Sequence, residues 1–366
     1  MTTHGGNSAC RFNLQEESTM AYSVVLEPSG LRFEVAADDI LLDAALRQEM
    51  PLPFGCRGGH CGACALKLEG GTVTYPQDKI LEGLHGQPEG RVLMCQARAA
   101  SDIRILVDLP PLAPHLTPRI YPCKVAKIEH LTADVLRLFL KLPETDVLQW
   151  RPGQYLDFLL GDGHRRAFSI ANARIGKDLI ELHIRRVPGG RFTQYLFEEL
   201  KERDLLRIEA PLGGYFLRID AGRPILMMAG GTGIAPFKAM LEYALDLGLQ
   251  QPIHLYWGVR HQDDLYLLDH LNHWAEGYVG FRATPVLSEP GPGWQGRSGW
   301  VHTALLADYP DLGGFDLYMS GPPAMIQAAR GDCLAHGLPE NRLFLDAFEF
   351  AKDSQTAVAK NLQFRK

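Results

Sequence analysis

Residues 55–64 read GCRGGHCGAC and contain the densest chemical signal of the chain. They place Cys56, Cys61 and Cys64 in the spacing Cys-x4-Cys-x2-Cys, and Cys95 follows at a distance. A remote fourth cysteine after this spacing is the plant-type arrangement of ligands for a [2Fe-2S] cluster. Four glycines in the same stretch allow the backbone to approach a cluster closely. The stretch therefore predicts a [2Fe-2S] cluster site.

A structural zinc site is the alternative interpretation of these cysteines as metal ligands. Such sites usually combine two short Cys-x2-Cys or Cys/His pairs, and this stretch has only one. Buried structural thiols would not explain the four glycines. The remaining cysteines, Cys10, Cys123 and Cys333, are scattered, and the total of seven is odd, which argues against a disulfide scaffold.

The composition of the whole chain bounds the class of protein. A length of 366 residues, with 46% hydrophobic and 22% charged residues, is typical of a globular protein of two or three domains. The net charge of −6 gives no attraction to nucleic acid. The N-terminal stretch resembles neither a secretory signal nor a membrane span. We therefore expect a cytoplasmic protein whose partners are proteins and small molecules, with no membrane and no nucleic acid.

Changes in composition and in the pattern of apolar residues divide the chain into six segments. Five prolines fall between Pro110 and Pro122, too many for a helix or a central strand. Short strand-like runs follow at intervals typical of an antiparallel barrel, and strands alternating with helices come last, as in a doubly wound parallel sheet. The segments are a disordered extension (1–20), a β-rich ferredoxin unit (21–109), a proline-rich linker (110–122), a barrel (123–220), an α/β unit (221–350) and a tail (351–366).

The barrel segment carries a candidate flavin site. Arg166, Phe168 and Ser169 end a predicted strand, and Gly189 and Gly190 precede a predicted helix. The first N–H groups of such a helix can hold a phosphate. An arginine for a diphosphate, an aromatic ring for a planar ligand and a hydroxyl near a ring nitrogen together describe a flavin site.

The α/β segment carries a candidate nucleotide site. Residues 229–236 read AGGTGIAP between an apolar strand and a long helix, where glycines let a diphosphate approach the helix N-terminus. A plain tight turn is the alternative. No Lys-Ser or Lys-Thr follows the glycines, which disfavours a P-loop. Two more strand ends, at Gly258 and Ser320, fall where an open parallel sheet places its ligand-binding loops.

These motifs occur in an order that resembles a known family. Cys-x4-Cys-x2-Cys, RAFS, a glycine pair before a helix, GGTGIAP and SGPPAM succeed one another, as in oxygenase-type reductases of the ferredoxin–NADP reductase superfamily that have an N-terminal plant-type ferredoxin domain. The phrases RAFSIANA, ELHIRRVPGGRFTQYLF and PIHLYWGVR look most similar to the CDP-6-deoxy-Δ3,4-glucoseen reductases. The resemblance covers residues 21–348 and implies a multidomain fold: a β-grasp-like α+β ferredoxin, an antiparallel β-barrel flavin domain and an α/β doubly wound nucleotide domain.

The resemblance also implies roles for individual residues. Ser169 and Ser320 are the candidate catalytic residues, and Ser320 stands where the family usually has a cysteine beside the nicotinamide. Phe168 would stack on the isoalloxazine ring, in place of the commoner tyrosine, and Phe348 would cover part of that ring. The residues expected to contact FAD or the dinucleotide are Arg166, Phe168, Ser169, Gly189, Gly190, Arg191, Phe192, Thr193, Gly230, Gly231, Thr232, Gly233, Pro236, Gly258, Arg260, Ser288, Glu289, Gly321, Pro322 and Phe348.

The implied activity is electron transfer from NADH through FAD and the [2Fe-2S] cluster to a separate protein. A flavin is needed because a hydride carries two electrons and the cluster accepts one. The expected acceptor is the terminal component of a multicomponent oxygenase, and the alternative is a deoxysugar (CDP-4-keto-6-deoxyglucose) dehydratase. A redox-sensing module is a third reading, although it would not need the flavin and nucleotide sites.

One residue bears on the choice of nucleotide. NADP-dependent members of the family carry Ser-Arg after the third strand of the nucleotide domain, where this chain has Ser288 and Glu289. A carboxylate there would repel a 2′-phosphate and could accept hydrogen bonds from a free 2′-hydroxyl. We therefore expect NADH to be preferred. A loop carboxylate directed to water is the alternative.

Overall fold

The computed structural model describes residues 21–85, 87–107, 109, 118–173, 179–219 and 222–348. The predicted extension, the predicted tail and most of the predicted linker lie outside these residues. Three sheets of five and six strands, each with its own core, build the described part of the chain.

The N-terminal unit is a five-stranded mixed sheet covered by one short helix. Its strands and helix are β1 (Ala21–Glu27), β2 (Leu31–Ala36), α1 (Leu41–Arg47), β3 (Ala65–Gly70), β4 (Val73–Thr74), β5 (Arg91–Leu93), β6 (Arg98–Ala99) and β7 (Ile103–Leu106). The order of the five-stranded sheet is β2-β1-β7-β3-β5, with β1 parallel to β7 and the other pairs antiparallel, and β4 and β6 form a separate two-stranded sheet. Alternate residues such as Phe33 and Val35 point into the core, as expected for a sheet with one buried face. The predicted α+β ferredoxin unit is confirmed.

The second unit is an antiparallel barrel. Its elements are β8 (Arg119–His130), β9 (Val135–Lys141), β10 (Tyr155–Leu159), β11 (Arg165–Ser169), β12 (Leu179–Arg185), α2 (Arg191–Glu198) and β13 (Leu205–Leu212). The strand order is β11-β10-β13-β8-β9-β12, and a bridge between Ile170 and Leu182 closes the two ends. Closure leaves these strands without a free edge.

The third unit is a parallel sheet with helices around it. Its elements are β14 (Ile225–Gly230), α3 (Ile234–Asp246), β15 (Ile253–Val259), α4 (Leu268–Gly277), β16 (Phe281–Leu287), β17 (Arg297–Ser298), α5 (Val301–Asp308), β18 (Asp316–Gly321), α6 (Pro323–Ala335) and β19 (Leu343–Ala347). The strand order is β17-β16-β15-β14-β18-β19. The central strands β14 and β18 are buried along their whole length, as in a sheet covered on both faces.

The boundary of the predicted linker differs from the structure. Strand β8 begins at Arg119 and pairs with β13, so that Pro122 lies opposite Arg207 inside the barrel sheet. The chain from residue 119 to 122 is therefore strand rather than linker. Pairing of β8 with β9 begins only at Lys124, so Pro122 has a partner strand on one side and lies at a local edge, where the N–H group that proline lacks is not needed.

None of the helices in the described part of the chain is long and apolar enough to cross a membrane.

Candidate functional site

The four predicted cluster ligands lie close together and form two pairs. The thiols of Cys56 and Cys61 share a hydrogen bond, and so do those of Cys64 and Cys95. Among the residues described, no three His, Cys, Asp or Glu side chains converge as ligands of a single ion. These four side chains would supply the four thiolate ligands of a binuclear cluster.

Charge is distributed unevenly within the two pairs. The hydrogen bond with Cys61 lowers the pKa of Cys56 to about 5, with help from backbone N–H groups of the same loop. The same hydrogen bond, together with burial, raises the pKa of Cys61. The lowered pKa of Cys56 favours its thiolate, the form of cysteine that binds metal.

Glycines of the cluster loop allow close approach to a neighbouring segment. Gly59 has φ +89°, and a Cβ atom there would lie 2.0 Å from the carbonyl oxygen of Ile80. Gly62 has φ +73°, and its Cβ would lie 2.7 Å from the carbonyl oxygen of Gly83. Side chains at these two positions would push the loop away from its support. The predicted need for glycine here has a steric cause.

One large cavity of about 1270 Å³ opens beside the cluster loop. Its lining comes from the barrel, from the parallel sheet and, through Gly55 and Cys56, from the cluster loop. This volume exceeds that of an ordinary small-ligand pocket. The predicted site residues that line it are Arg166, Phe168, Ser169, Gly190, Arg191, Phe192, Thr193, Gly230, Gly231, Thr232, Gly258, Arg260, Ser288, Glu289, Pro322 and Phe348.

The barrel side of the cavity has the features expected of a flavin site. Arg166, Phe168 and Ser169 come from β11, and helix α2 begins beside them. The hydroxyl of Thr193 accepts from the N–H of Val187 at 3.1 Å and donates to the carbonyl of Gly190 at 3.1 Å. These bonds fix the glycine turn at the start of the helix, where N–H groups can face a phosphate.

Five predicted residues do not line the cavity: Gly189, Gly233, Pro236, Ser320 and Gly321. Gly233 has a packing role instead, because a Cβ atom there would lie 2.1 Å from the carbonyl oxygen of Ser320. It lets the glycine turn after β14 touch the end of β18. Ser320 itself is fully buried, so its hydroxyl can act on a ligand only through a neighbour.

That neighbour is Asp346 on β19, a cavity residue that the sequence analysis did not identify. Its Oδ2 atom accepts hydrogen bonds from Ser169 Oγ at 3.2 Å and from Ser320 Oγ at 3.1 Å. Burial raises the pKa of Asp346 to about 6, although both serine hydroxyls act in the opposite direction. The two predicted catalytic serines are thus joined through one carboxyl group that titrates near neutrality.

A buried charge cluster joins the barrel to the parallel sheet behind the cavity. Lys238 on α3 contacts Glu181 at 2.9 Å and Glu242 at 2.8 Å. Burial would raise the pKa of Glu181, but the hydrogen bond with His183 and the charge of Lys238 lower it to about 2. Burial lowers the pKa of His183, so its neutral ring donates to Glu181. These ion pairs hold the two walls of the cavity in register.

A second set of ion pairs crosses the same boundary at the cavity wall. Asp134 of the barrel contacts Arg185 at 3.0 Å and Arg260 at 3.4 Å. Asp264 contacts the same two arginines at 3.1 and 3.6 Å. The predicted nucleotide residue Arg260 is therefore also a contact between the two domains. The sequence analysis did not identify this set of ion pairs, because its four residues lie far apart in the chain.

Other cavity residues were missed as well, among them Tyr155 and Trp300. Tyr155 is buried between the cavity and the cluster loop, and Trp300 is 70% exposed at the cavity rim. Trp300 directly follows a glycine after β17, a strand end of the kind that the sequence analysis treated as a ligand loop elsewhere. No signal of that kind marked Tyr155.

Three family models match successive parts of the chain. The 2Fe-2S iron-sulfur cluster binding domain matches residues 24–100, the oxidoreductase FAD-binding domain matches residues 122–216, and the oxidoreductase NAD-binding domain matches residues 227–331. The three cofactors predicted from the sequence, a [2Fe-2S] cluster, FAD and a nicotinamide nucleotide, are confirmed by these matches.

Relatives match nearly the whole chain. The CDP-6-deoxy-L-threo-D-glycero-4-hexulose-3-dehydrase reductase of Yersinia pestis is 41% identical over 329 residues, which cover 90% of this chain and 99% of that protein. Reductase component 1 of the terephthalate 1,2-dioxygenase of Comamonas sp. is 34% identical over 336 residues, covering 90% and 98% of the two chains.

Solved structures show the same architecture. The Amycolatopsis cytochrome P450 reductase GcoB is 31% identical, covers 89% of this chain and 98% of its own, and superposes with a TM-score of 0.74. The ferredoxin reductase in carbazole 1,9a-dioxygenase is 28% identical with a TM-score of 0.66, covering 90% and 99% of the two chains. The chain therefore belongs to the family of iron–sulfur flavoprotein reductases, oxidoreductases that carry electrons from NADH through FAD to a [2Fe-2S] cluster within one polypeptide.

Proposed function

We propose that this chain is the reductase component of a multicomponent system and delivers single electrons to a separate protein. The observation that carries the proposal is the single cavity whose wall includes flavin-site residues, nucleotide-site residues and the cluster ligand Cys56. A redox sensor would not need this shared cavity. When bound, FAD accepts two electrons as a hydride and releases them singly, which suits a one-electron cluster.

The chain's own residues supply position and charge rather than acid–base chemistry on a substrate. We assign Arg166 and the start of α2 to the flavin diphosphate, and Phe168 to the ring face. The turn after β14, with Gly230 and Gly231, is assigned to the dinucleotide. Ser169, held by Asp346, presents its hydroxyl at the wall where both ligands would meet.

Two partner proteins are candidates. A terminal oxygenase is supported by the reductase components of a dioxygenase and of monooxygenases among the relatives, which are 32–34% identical. A hexulose dehydrase is supported by the higher identity, 41%, to reductases named for that enzyme. Both would receive electrons at the ferredoxin unit. We place the system in the cytoplasm, where NADH is available.

NADH is the nucleotide we propose, with Glu289 as the residue that discriminates. Glu289 and Ser288 line the cavity, and the Glu289 N–H donates to the carbonyl of Arg260 at 2.9 Å. The loop is thereby fixed beside the nucleotide wall. A carboxylate held there opposes a 2′-phosphate.

The test uses purified holoprotein under anaerobic conditions. We expect one FAD, two irons and two labile sulfides per chain, and NADH-driven reduction of an added oxygenase or dehydrase component. Efficient reduction of only one of the two components would identify that component as the electron acceptor. One zinc per chain without labile sulfide, or consumption of NADH without reduction of the cluster, would refute the proposal.

A further inference from the structure

We propose that Tyr155 is a positioning residue for electron transfer from the flavin cavity to the cluster. This inference rests on the proposed function and concerns a barrel side chain that lines the cavity and also bonds to the cluster loop. The Tyr155 hydroxyl donates to the carbonyl of Gly55 at 3.0 Å, and Gly55 directly precedes the ligand Cys56.

The register of the barrel explains why this position matters. Tyr155 on β10 lies directly opposite Ser169 on β11, and Leu156 lies opposite Phe168. The strand pair that presents the flavin-site residues therefore also carries the anchor of the cluster loop. Because adjacent strands are fixed at hydrogen-bonding distance, the separation between flavin site and cluster loop is set locally.

The loop contacts the barrel on both sides of Cys56. On one side, the N–H of Gly214 donates to the carbonyl of Phe54 at 2.8 Å. On the other, the Arg57 guanidinium lies 3.9 Å from the Glu209 carboxylate. Of the four cysteine ligands, all within the described residues, Cys56 is the one that lines the cavity. The contacts thus hold the ligand that faces the flavin site.

Packing makes the anchor rigid. Tyr155 and Leu212 of the barrel are buried within the hydrophobic core of the ferredoxin unit. Gly213 leaves room for the ring, since a Cβ atom there would lie 2.9 Å from two ring carbons of Tyr155. A ring packed in this way keeps its hydroxyl directed at the carbonyl of Gly55.

Tyr155→Phe tests the inference, because it removes the hydroxyl and keeps the ring. Stopped-flow spectroscopy with NADH would follow flavin and cluster reduction separately. We expect the rate of cluster reduction, relative to flavin reduction in the same variant, to fall about tenfold or more, as small displacements can cost on the order of 10²-fold. Hydrogen exchange at residues 54–58 should become faster, while iron content and the spectrum of the reduced cluster stay unchanged.

Tyr215→Phe is the matched control. Tyr215 is another buried tyrosine of the chain, but its hydroxyl has no hydrogen-bond partner in the described structure and it does not line the cavity. We expect this variant to show the wild-type ratio of rates and wild-type loop exchange.

If Tyr155→Phe does not fold, Arg57→Gln tests the same loop through a residue of the ferredoxin unit. This variant should also lower the rate of cluster reduction relative to flavin reduction. A wild-type ratio with unchanged loop exchange in the folded variant would overturn the inference. A general loss of stability without a change in the ratio would make Tyr155 merely structural and would overturn it as well. Failure of NADH to reduce the cluster in the wild-type protein would instead refute the proposed function.

Discussion

Replacing Asp346 with asparagine tests the link between the two predicted catalytic serines. In the structure, one carboxyl oxygen accepts hydrogen bonds from both Ser169 and Ser320. An asparagine keeps the size of the side chain and removes its charge. The hydroxyl of Ser169 lines the cavity, so its orientation should respond to the protonation state of Asp346.

The magnitude follows from the pKa of Asp346, which burial raises from 3.8 to about 6. At 1.36 kcal/mol per pKa unit, this is about 3 kcal/mol in favour of the protonated form. The group is therefore protonated below pH 6 and ionised above it, and only the ionised form accepts from both serines without donating a proton. Losing one hydrogen bond to a charged acceptor costs roughly 1.5 kcal/mol, about tenfold in rate.

The assay is the rate of flavin reduction by NADH in stopped flow between pH 5 and 8.5. We expect the wild-type rate to rise through pH 6 and then level off, and the Asp346→Asn rate to be flat and about tenfold lower at pH 7.5. Ser320→Ala is the control: its hydroxyl lowers the pKa of Asp346, so its loss should move the inflection to higher pH. An inflection near pH 6 that persists in Asp346→Asn would refute the reasoning.

Three further outcomes are expected. Cys61→Ser should abolish reduction of cytochrome c yet retain NADH oxidation with ferricyanide, which can take electrons from the flavin directly; loss of both activities with FAD still bound would contradict the linear order. Repulsion between the Glu289 carboxylate and a 2′-phosphate should favour NADH over NADPH in catalytic efficiency by about ten- to a hundredfold. Glu289→Arg should reduce this ratio of catalytic efficiencies, and an unchanged ratio would assign the discrimination to another residue. Lys238→Met removes the buried ammonium group that pairs with the carboxylates of Glu181 and Glu242 and should lower the free energy of unfolding by about 3–5 kcal/mol, measured by denaturant titration. The half-exposed Lys127→Met is its control and should cost below about 1 kcal/mol.

Local patterns were enough to predict the three folding units. The alternating pattern of β9 and the uniformly apolar β14 identify an antiparallel and a buried parallel strand without any tertiary information. The spacing of Cys56, Cys61 and Cys64 similarly fixed the type of cluster. The structure differs from the predicted linker at Pro122, which lies in β8 where that strand pairs with β13 alone, and the local sequence does not show this pairing between distant segments.

Asp346 and Tyr155 could not have been found in this way, because their significance lies in contacts between units. Asp346 is separated by 177 residues from Ser169, and Tyr155 by 100 residues from Gly55. Each residue looks like an ordinary strand position when its own element is considered alone. Both residues nevertheless lie at the cavity wall. Asp346 on β19 accepts hydrogen bonds from the serine hydroxyls, and Tyr155 on β10 donates one to the cluster loop. The paired strands β10 and β11 therefore carry both contacts: Tyr155 on β10 bonds to the cluster loop, and Ser169 on β11 bonds to Asp346. We expect a change at Tyr155 to affect cluster reduction and a change at Asp346 to affect flavin reduction, although both side chains line one cavity.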